Sequence, residues 1–277
     1  MASDGKLVKS LVSLIREAET DLPADVESAL RRAYREEKSE IARTQLKEIL
    51  RNVEIARKKT VPICQDTGIL NFYVKIGKDA KYSEKELREA INEAAKTATK
   101  KVPLRQNSVD PLSRKSLGEN IPVIEFEEVG GKTVDVTVLP KGAGSDNMTR
   151  LCMLPPSRGL DGIRRFVLES VAAAGGKACP PTIVCVGIGG SSDAVVRLAK
   201  KALLRKVGQR NKDKELAALE EELEEKINGL GIGPMGLGGK ISCLTVNIET
   251  APCHTGSLPV AVNLGCWALR RATGKIK

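Results

Sequence analysis

Ile63-Cys64-Gln65-Asp66-Thr67-Gly68 sets a thiol, an amide, a carboxylate and a hydroxyl in succession, ahead of an apolar, strand-like segment. Such a run is poor material for a core. Gly68 allows a tight turn, and Asp66 and Thr67 can bond neighbouring backbone amides, which holds Cys64 out of regular structure. From there its thiolate can reach a metal or a substrate. The plain alternative is an Asx-type turn next to a buried cysteine. The only histidine, His254, lies in Pro252-Cys253-His254-Thr255-Gly256-Ser257. A lone histidine is usually a hydrogen-bonded bystander, but this setting also suits donation to a substrate carboxylate or a proton-carrying role.

The seven cysteines include no CxxC pair, so neither a zinc ribbon nor a ferredoxin-type cluster finds support. Cys185 and Cys243 sit in apolar, β-branched runs and read as small residues of buried strands. Cys152 follows a Gly-rich loop and fits either role. Cys64, Cys179 and Cys266 each adjoin turn or polar residues and lie far apart in sequence, a spacing that suits a site assembled by the fold. Three glycine-rich loops add exposed backbone amides: Lys141-Gly142-Ala143-Gly144-Ser145, Gly187-Ile188-Gly189-Gly190 and Gly236-Leu237-Gly238-Gly239-Lys240. Amides of this kind suit a carboxylate as well as a phosphate. The Gly187 loop follows a strand and precedes a helix but lacks the GxGxxG and P-loop spacing; a nucleotide- or anion-binding protein using these loops stands as the rival from another class.

The elements that must position these residues are legible in part. The first sixty residues read as helical, with apolar stripes Leu7/Leu11/Leu14/Ile15, Val26/Leu30/Ala33/Tyr34 and Ile41/Leu46/Ile49/Leu50/Val53. Asp21 to Pro23 breaks the first helix from the second. Leu70 to Ile76 reads as a strand, and Ser83 to Lys100 as a helix that Ser83 and Glu86 start as a capping box. A polar loop carries Arg105, Asn107, Ser108 and Asp110. Ile121 to Phe126 and Thr133 to Leu139 read as a hairpin joined by Gly130-Gly131. A helix over Leu160 to Ala174 and a buried strand over Thr182 to Ile188 follow. Then come a long charged helical region to Asn228, a strand over Ile241 to Ile248, and a final helix bearing Cys266. Strands and helices mix without a βαβ rhythm, so the expected class is α+β: mixed helices and β-sheets in one compact unit with a helical N-terminal region. The expected organisation is a helical region over 1–60 and a core over 61–277, continuous with each other.

Composition is that of an ordinary globular chain, with 41% hydrophobic and 29% charged residues among 277. Aromatic residues are only 3%, so the core must be aliphatic. A net charge of +10 raises nucleic-acid binding, but acids are interleaved with the bases and base-stacking aromatics are scarce, so no nucleic acid is expected. A positive field also draws in small anions. No apolar run has signal-peptide or membrane-spanning character; the expectation is a cytoplasmic protein without a membrane partner.

Taken in order, Pro62-Ile63-Cys64-Gln65-Asp66-Thr67-Gly68, Lys141-Gly142-Ala143-Gly144-Ser145-Asp146-Asn147, Ala178-Cys179-Pro180-Pro181, Gly187-Ile188-Gly189-Gly190-Ser191, Gly238-Gly239-Lys240 and the stretch from His254 to Cys266 form a specific combination. It resembles the α subunit of class I fumarate hydratases and L-tartrate dehydratases, oxygen-sensitive iron–sulfur hydro-lyases, from about residue 5 to the C-terminus. The resemblance implies a 4Fe–4S cluster with three cysteine ligands, which fall on Cys64, Cys179 and Cys266, and one open iron acting as Lewis acid. It implies that Gln65 and Asp66 form an active-site pair, with Asp66 relaying the proton at the carbon next to a carboxylate. Arg105, Gly144 and His254 would contact a small dicarboxylate substrate, Arg105 as a two-pronged cation and Gly144 through its amide. Lys141 and Lys240 would orient their loops. A separate β subunit is implied, in a dimer of αβ pairs. The favoured reaction is dehydration of (S)-malate to fumarate by a class I fumarate hydratase; L-tartrate to oxaloacetate is the close alternative and mesaconate hydration a remote one.

Overall fold

The structure, a computed structural model, describes residues 5–276. In chain order the elements are α1 (Gly5–Thr20), α2 (Ala24–Glu36), α3 (Glu40–Lys59), β1 (Ile69–Gly77), α4 (Glu84–Lys101), β2 (Val123–Val129), β3 (Val134–Lys141) and the single turn α5 (Ala143–Asp146). There follow β4 (Arg150–Leu154), α6 (Gly159–Ala174), β5 (Thr182–Gly189), α7 (Ser192–Lys201), α8 (Lys214–Asn228), β6 (Cys243–Ala251), β7 (Leu258–Gly265) and β8 (Ala272–Ile276). The fold is α+β, with a helical N-terminal region and two mixed four-stranded sheets. Among the described residues, no helix is long and apolar enough to cross a membrane.

The chain divides into two units. The first comprises residues 5–23, 52–143 and 270–276. Its sheet runs β2-β1-β3-β8, with β1 and β2 parallel and the other pairs antiparallel. The i, i+3/i+4 spacing of Leu7, Leu11, Leu14, Ile15 and Ala18 gives α1 one apolar face, and Leu87, Ala90, Ile91, Ala94 and Ala98 do the same for α4. Both faces pack with Leu70, Phe72, Val74, Val134, Val136 and Val138 in one largely aliphatic core. The capping box forms as expected: Glu86 N–H donates to Ser83 Oγ (3.3 Å) and Ser83 N–H to Glu86 Oε2 (2.8 Å).

The expected hairpin of the second and third strands does not form. β1 lies between them, bonded to β2 on one side and β3 on the other. The alternation of Leu70, Phe72 and Val74, each 1% exposed, suits the centre of the sheet, whereas β2 starts at Val123, 49% exposed, and is an edge. Gly130-Gly131 instead crosses the end of β1, where Lys78 N–H donates to Val129 O (2.9 Å) and Asp79 N–H to Gly131 O (3.0 Å).

The second unit comprises Ala24–Arg51 and Gly144–Leu269. Its sheet runs β4-β7-β5-β6, with β5 and β6 parallel. α6 and α8 cover one face through Phe166, Val167, Val171, Leu219, Leu223 and Ile227, packed with Val184, Val186, Val246, Ile248, Val260 and Val262. Ala261, alternating with Val260 and Val262, turns to the other face and meets Val195 and Ala199 of α7. Two expectations are corrected here. The charged region after Ser192 is two helices, because Asp213 starts α8 afresh by accepting from the N–H groups of Glu215 (2.8 Å) and Leu216 (3.2 Å). The helix expected to bear Cys266 is strand β7, with Cys266 in the turn that follows it. Pro259 to Gly265 are buried without a break, and a continuously apolar run does not reveal its period.

Candidate active site

In the first unit, the segment between α3 and β1 carries Cys64, Gln65 and Asp66. Cys64 and Asp66 are half-buried and Gln65 is exposed. Both Asp66 carboxylate oxygens are engaged: Oδ1 accepts from Gly68 N–H (2.9 Å) and Oδ2 from Ala143 N–H (2.7 Å). Gly68 has φ +71° and approaches the Lys141 backbone so closely that a Cβ would stand 2.5 Å from the Lys141 carbonyl carbon, so only glycine fits. Thr67, 2% exposed, is a hub: its Oγ1 accepts from Arg105 N–H (3.1 Å) and Asn107 Nδ2 (3.1 Å). Asn107 Nδ2 also donates to Gly68 O (2.9 Å), and Asn120 Nδ2 donates to Arg105 O (2.8 Å). The loop of Arg105 is thereby stitched to the Cys64 loop, and the Arg105 side chain stays exposed. Two of these partners, Asn107 and Asn120, carry no chemical signature in the sequence beyond their polarity.

In the second unit, Cys179 ends a 3₁₀ turn in left-handed backbone (φ 51°). Trp267 N–H donates to Cys179 O (3.1 Å), which joins the turn of Cys266 to that of Cys179, and both cysteines are half-buried. Gly144 belongs to the same neighbourhood, its Cβ position lying 3.4 Å from Lys177 O. His254 is exposed between β6 and β7. Its Nδ1 accepts from Gly256 N–H (3.0 Å), so the neutral ring carries its proton on Nε2 and offers that N–H outward. Gly190 N–H donates to Pro252 O (3.2 Å), tying the Gly187–Ser191 loop to the His254 turn.

The third glycine loop backs the Cys179 turn. Met235 N–H donates to Pro180 O (2.8 Å), and Gly236 is so close to Gly176 that a Cβ would stand 2.6 Å from its Cα. That loop is latched by Glu37, 3% exposed, whose Oε1 accepts from Lys38 and Ser39 N–H and whose Oε2 accepts from Lys240 and Ile241 N–H. Burial opposes the charge, but the four amide donors outweigh it and hold the carboxyl below its usual range. Two of the three glycine loops thus already give an amide to a carboxylate of the chain itself. A depressed carboxyl stabilises the fold above its unfolded pKa of about 4.3, and the effect is lost as pH falls through the lower folded value. Glu37→Gln is expected to cost about 1–3 kcal/mol near pH ~7, and the gap to the unmodified chain is expected to close toward pH ~3. Urea unfolding at the two pH values measures both.

Among the described residues, no cysteine is in a disulfide. Cys185 and Cys243 are buried, and Cys243 Sγ donates to Thr245 O (3.0 Å) while burial pushes its thiol far up, so it stays protonated. Cys64, Cys179 and Cys266 are half-buried, outside strands and helices, and chemically suited to a thiolate-held metal group. Among the described residues, no three His, Cys, Asp or Glu side chains are grouped as metal ligands. Cys64, Gln65, Asp66 and Arg105 lie in the first unit, and Gly144, Cys179, His254 and Cys266 in the second.

The sequence model of the family described as fumarate hydratase (fumerase) matches residues 8–275. The chain belongs to the class I fumarate hydratase and tartrate dehydratase family, as an α-subunit-type chain. A protein of Methanocaldococcus jannaschii provisionally named as an L(+)-tartrate dehydratase subunit alpha is 52% identical over 279 residues, covering 98% of each chain. The L(+)-tartrate dehydratase subunit alpha of an Escherichia coli strain is 35% identical over 276 residues, covering 98% of this chain and 91% of its own. A protein of Geobacillus stearothermophilus provisionally named as a class I fumarate hydratase is 38% identical over 279 residues, covering 96% of this chain and 54% of its own. At the level of the family, the activity is that of a hydro-lyase.

Proposed function

We propose that this chain is the α subunit of an L(+)-tartrate dehydratase, acting with a separate β subunit. The observation that carries the reading is the end-to-end match, 98% of each chain, to a relative named for that activity and that subunit. The relative named for fumarate hydratase is matched over only 54% of its length. The preference for (S)-malate drawn from the sequence therefore gives way to its alternative. Dehydration of (S)-malate to fumarate stays as the second reading, favoured by the family's own description.

In this proposal Cys64, Cys179 and Cys266 hold a 4Fe–4S cluster as thiolates. When bound, the cluster supplies a Lewis-acidic iron with an open position. The chain's own residues bind the substrate and move the proton. The exposed Arg105 guanidinium pairs with one substrate carboxylate through two parallel N–H bonds. Gly144 offers its backbone N–H, His254 its Nε2–H, and Gln65 its amide. Asp66 takes the proton from the carbon next to a carboxylate as the neighbouring C–O bond breaks and its electron pair departs with hydroxide; the hydroxide takes up a proton from solvent to become water, and Asp66 returns its proton to solvent. From tartrate the product is an enol that rearranges to oxaloacetate. Its carboxylate is aimed by the Gly68 and Ala143 amides, and each oxygen keeps a further lone pair for the substrate C–H.

The test is anaerobic reconstitution of the chain with its β subunit, then a comparison of the two substrates. L-Tartrate is expected to exceed (S)-malate in kcat/KM by about tenfold or more, within the range pocket hydrogen bonds can supply. The reverse order would put the fumarate reading first. A pair that stays free of iron and sulfide would remove both.

A further inference from the structure

One buried ion pair of the first unit lies behind the Cys64 loop. Glu19, at the end of α1, is 0% exposed, and Arg270, just before β8, is 2% exposed. Arg270 Nε donates to Glu19 Oε2 at 3.0 Å. Burying two charges is often no better for stability than burying two apolar side chains of like volume, so the pair invites another reason. Its remaining bonds supply one. Arg270 Nη2 donates to the Asp66 carbonyl oxygen (2.7 Å), and the Glu19 carbonyl accepts from Ile63 N–H (2.9 Å). These two bonds bracket Cys64, Gln65 and Asp66, which lie outside any helix or strand. Glu19 Oε1 is buried with no hydrogen-bond partner. Desolvation raises the Glu19 carboxyl to about 7 against the pull of Arg270.

We infer that Glu19 and Arg270 are positioning residues of the dehydratase site, a buried clamp that fixes the backbone on both sides of Cys64 and so sets where the Cys64 thiol and the Asp66 carboxylate stand. The inference rests on the function proposed above for its consequence in turnover, but the clamp itself is measurable without turnover. Arg270→Lys keeps the charge and removes the second prong. The double variant Glu19→Met/Arg270→Met removes both charges at similar volume, which leaves no buried charge unpaired.

In the purified full-length chain, alkylation of each cysteine by iodoacetamide is followed by peptide mapping. Both variants are expected to speed Cys64 about tenfold while Cys179 and Cys266 stay within about twofold, the scale of effect that supporting residues have on metal ligands. In the reconstituted complex with the β subunit, kcat per cluster is expected to fall about 10- to 100-fold with KM within about threefold. An unchanged Cys64 rate would overturn the inference, and so would acceleration of all the cysteines together, which marks loss of fold. Were the unmodified complex inactive on both tartrate and malate, the functional reading would fall, while the Cys64 rates would still decide the clamp.

Discussion

Asp66→Asn is expected to keep its iron and sulfide and to lose turnover by about 10²- to 10⁴-fold once assembled with the β subunit. Asparagine has the same shape, and its Oδ1 can go on accepting the Gly68 N–H that holds the loop. The second position changes sign: an NH₂ group then faces the Ala143 N–H, now 2.7 Å from a carboxylate oxygen, at a local cost of about 1–3 kcal/mol. What disappears entirely is the proposed base. Because Arg105, Gly144 and His254 are untouched, KM should move far less than kcat. Steady-state kinetics beside iron and sulfide analysis separates the two effects. Retained turnover with an intact cluster would remove Asp66 from the proton relay.

Cys64→Ser, Cys179→Ser and Cys266→Ser are each expected to abolish cluster retention, because a serine hydroxyl does not ionise near neutral pH and a thiolate is the ligand iron–sulfur clusters use. The unmodified chain should take up about four irons after anaerobic reconstitution and show a three-iron EPR signal after mild oxidation. Cys185→Ala and Cys243→Ala serve as controls. Both side chains are buried in strands, and Cys243 is already committed to the Thr245 carbonyl. Their loss should cost about 1–2 kcal/mol, in packing and, for Cys243, in its bond to the Thr245 carbonyl, with iron content unchanged. Cluster loss in Cys185→Ala together with retention in Cys179→Ser would overturn the ligand assignment.

Much of this molecule is written locally. The stripes of α1 and α4, the Ser83–Glu86 capping box, the alternation of β1 and the burial of Cys185 and Cys243 each depend on residues within one or two turns of each other. They are therefore legible in the chain. The six segments from Pro62 to Cys266 likewise suffice to indicate the family. Other features were not legible, for two physical reasons. A strand buried on both faces has no period to read, so β7 passed for a helix. Strand partners are chosen by which surfaces must leave water, and this put β1 between β2 and β3 where the turn residues alone suggested a hairpin.

The surroundings of the candidate site show the same division. The sequence by itself determined which side chains are candidates for the chemistry: three thiols in turns, a carboxylate, a guanidinium and one imidazole. Only the tertiary structure decided what holds them. Thr67 meets the backbone of Arg105 across 38 residues, Glu37 meets Lys240 across 203, and Glu19 meets Arg270 across 251. A buried polar group must find a partner wherever the folded chain brings one, and nothing in the local sequence of either partner records which it will be.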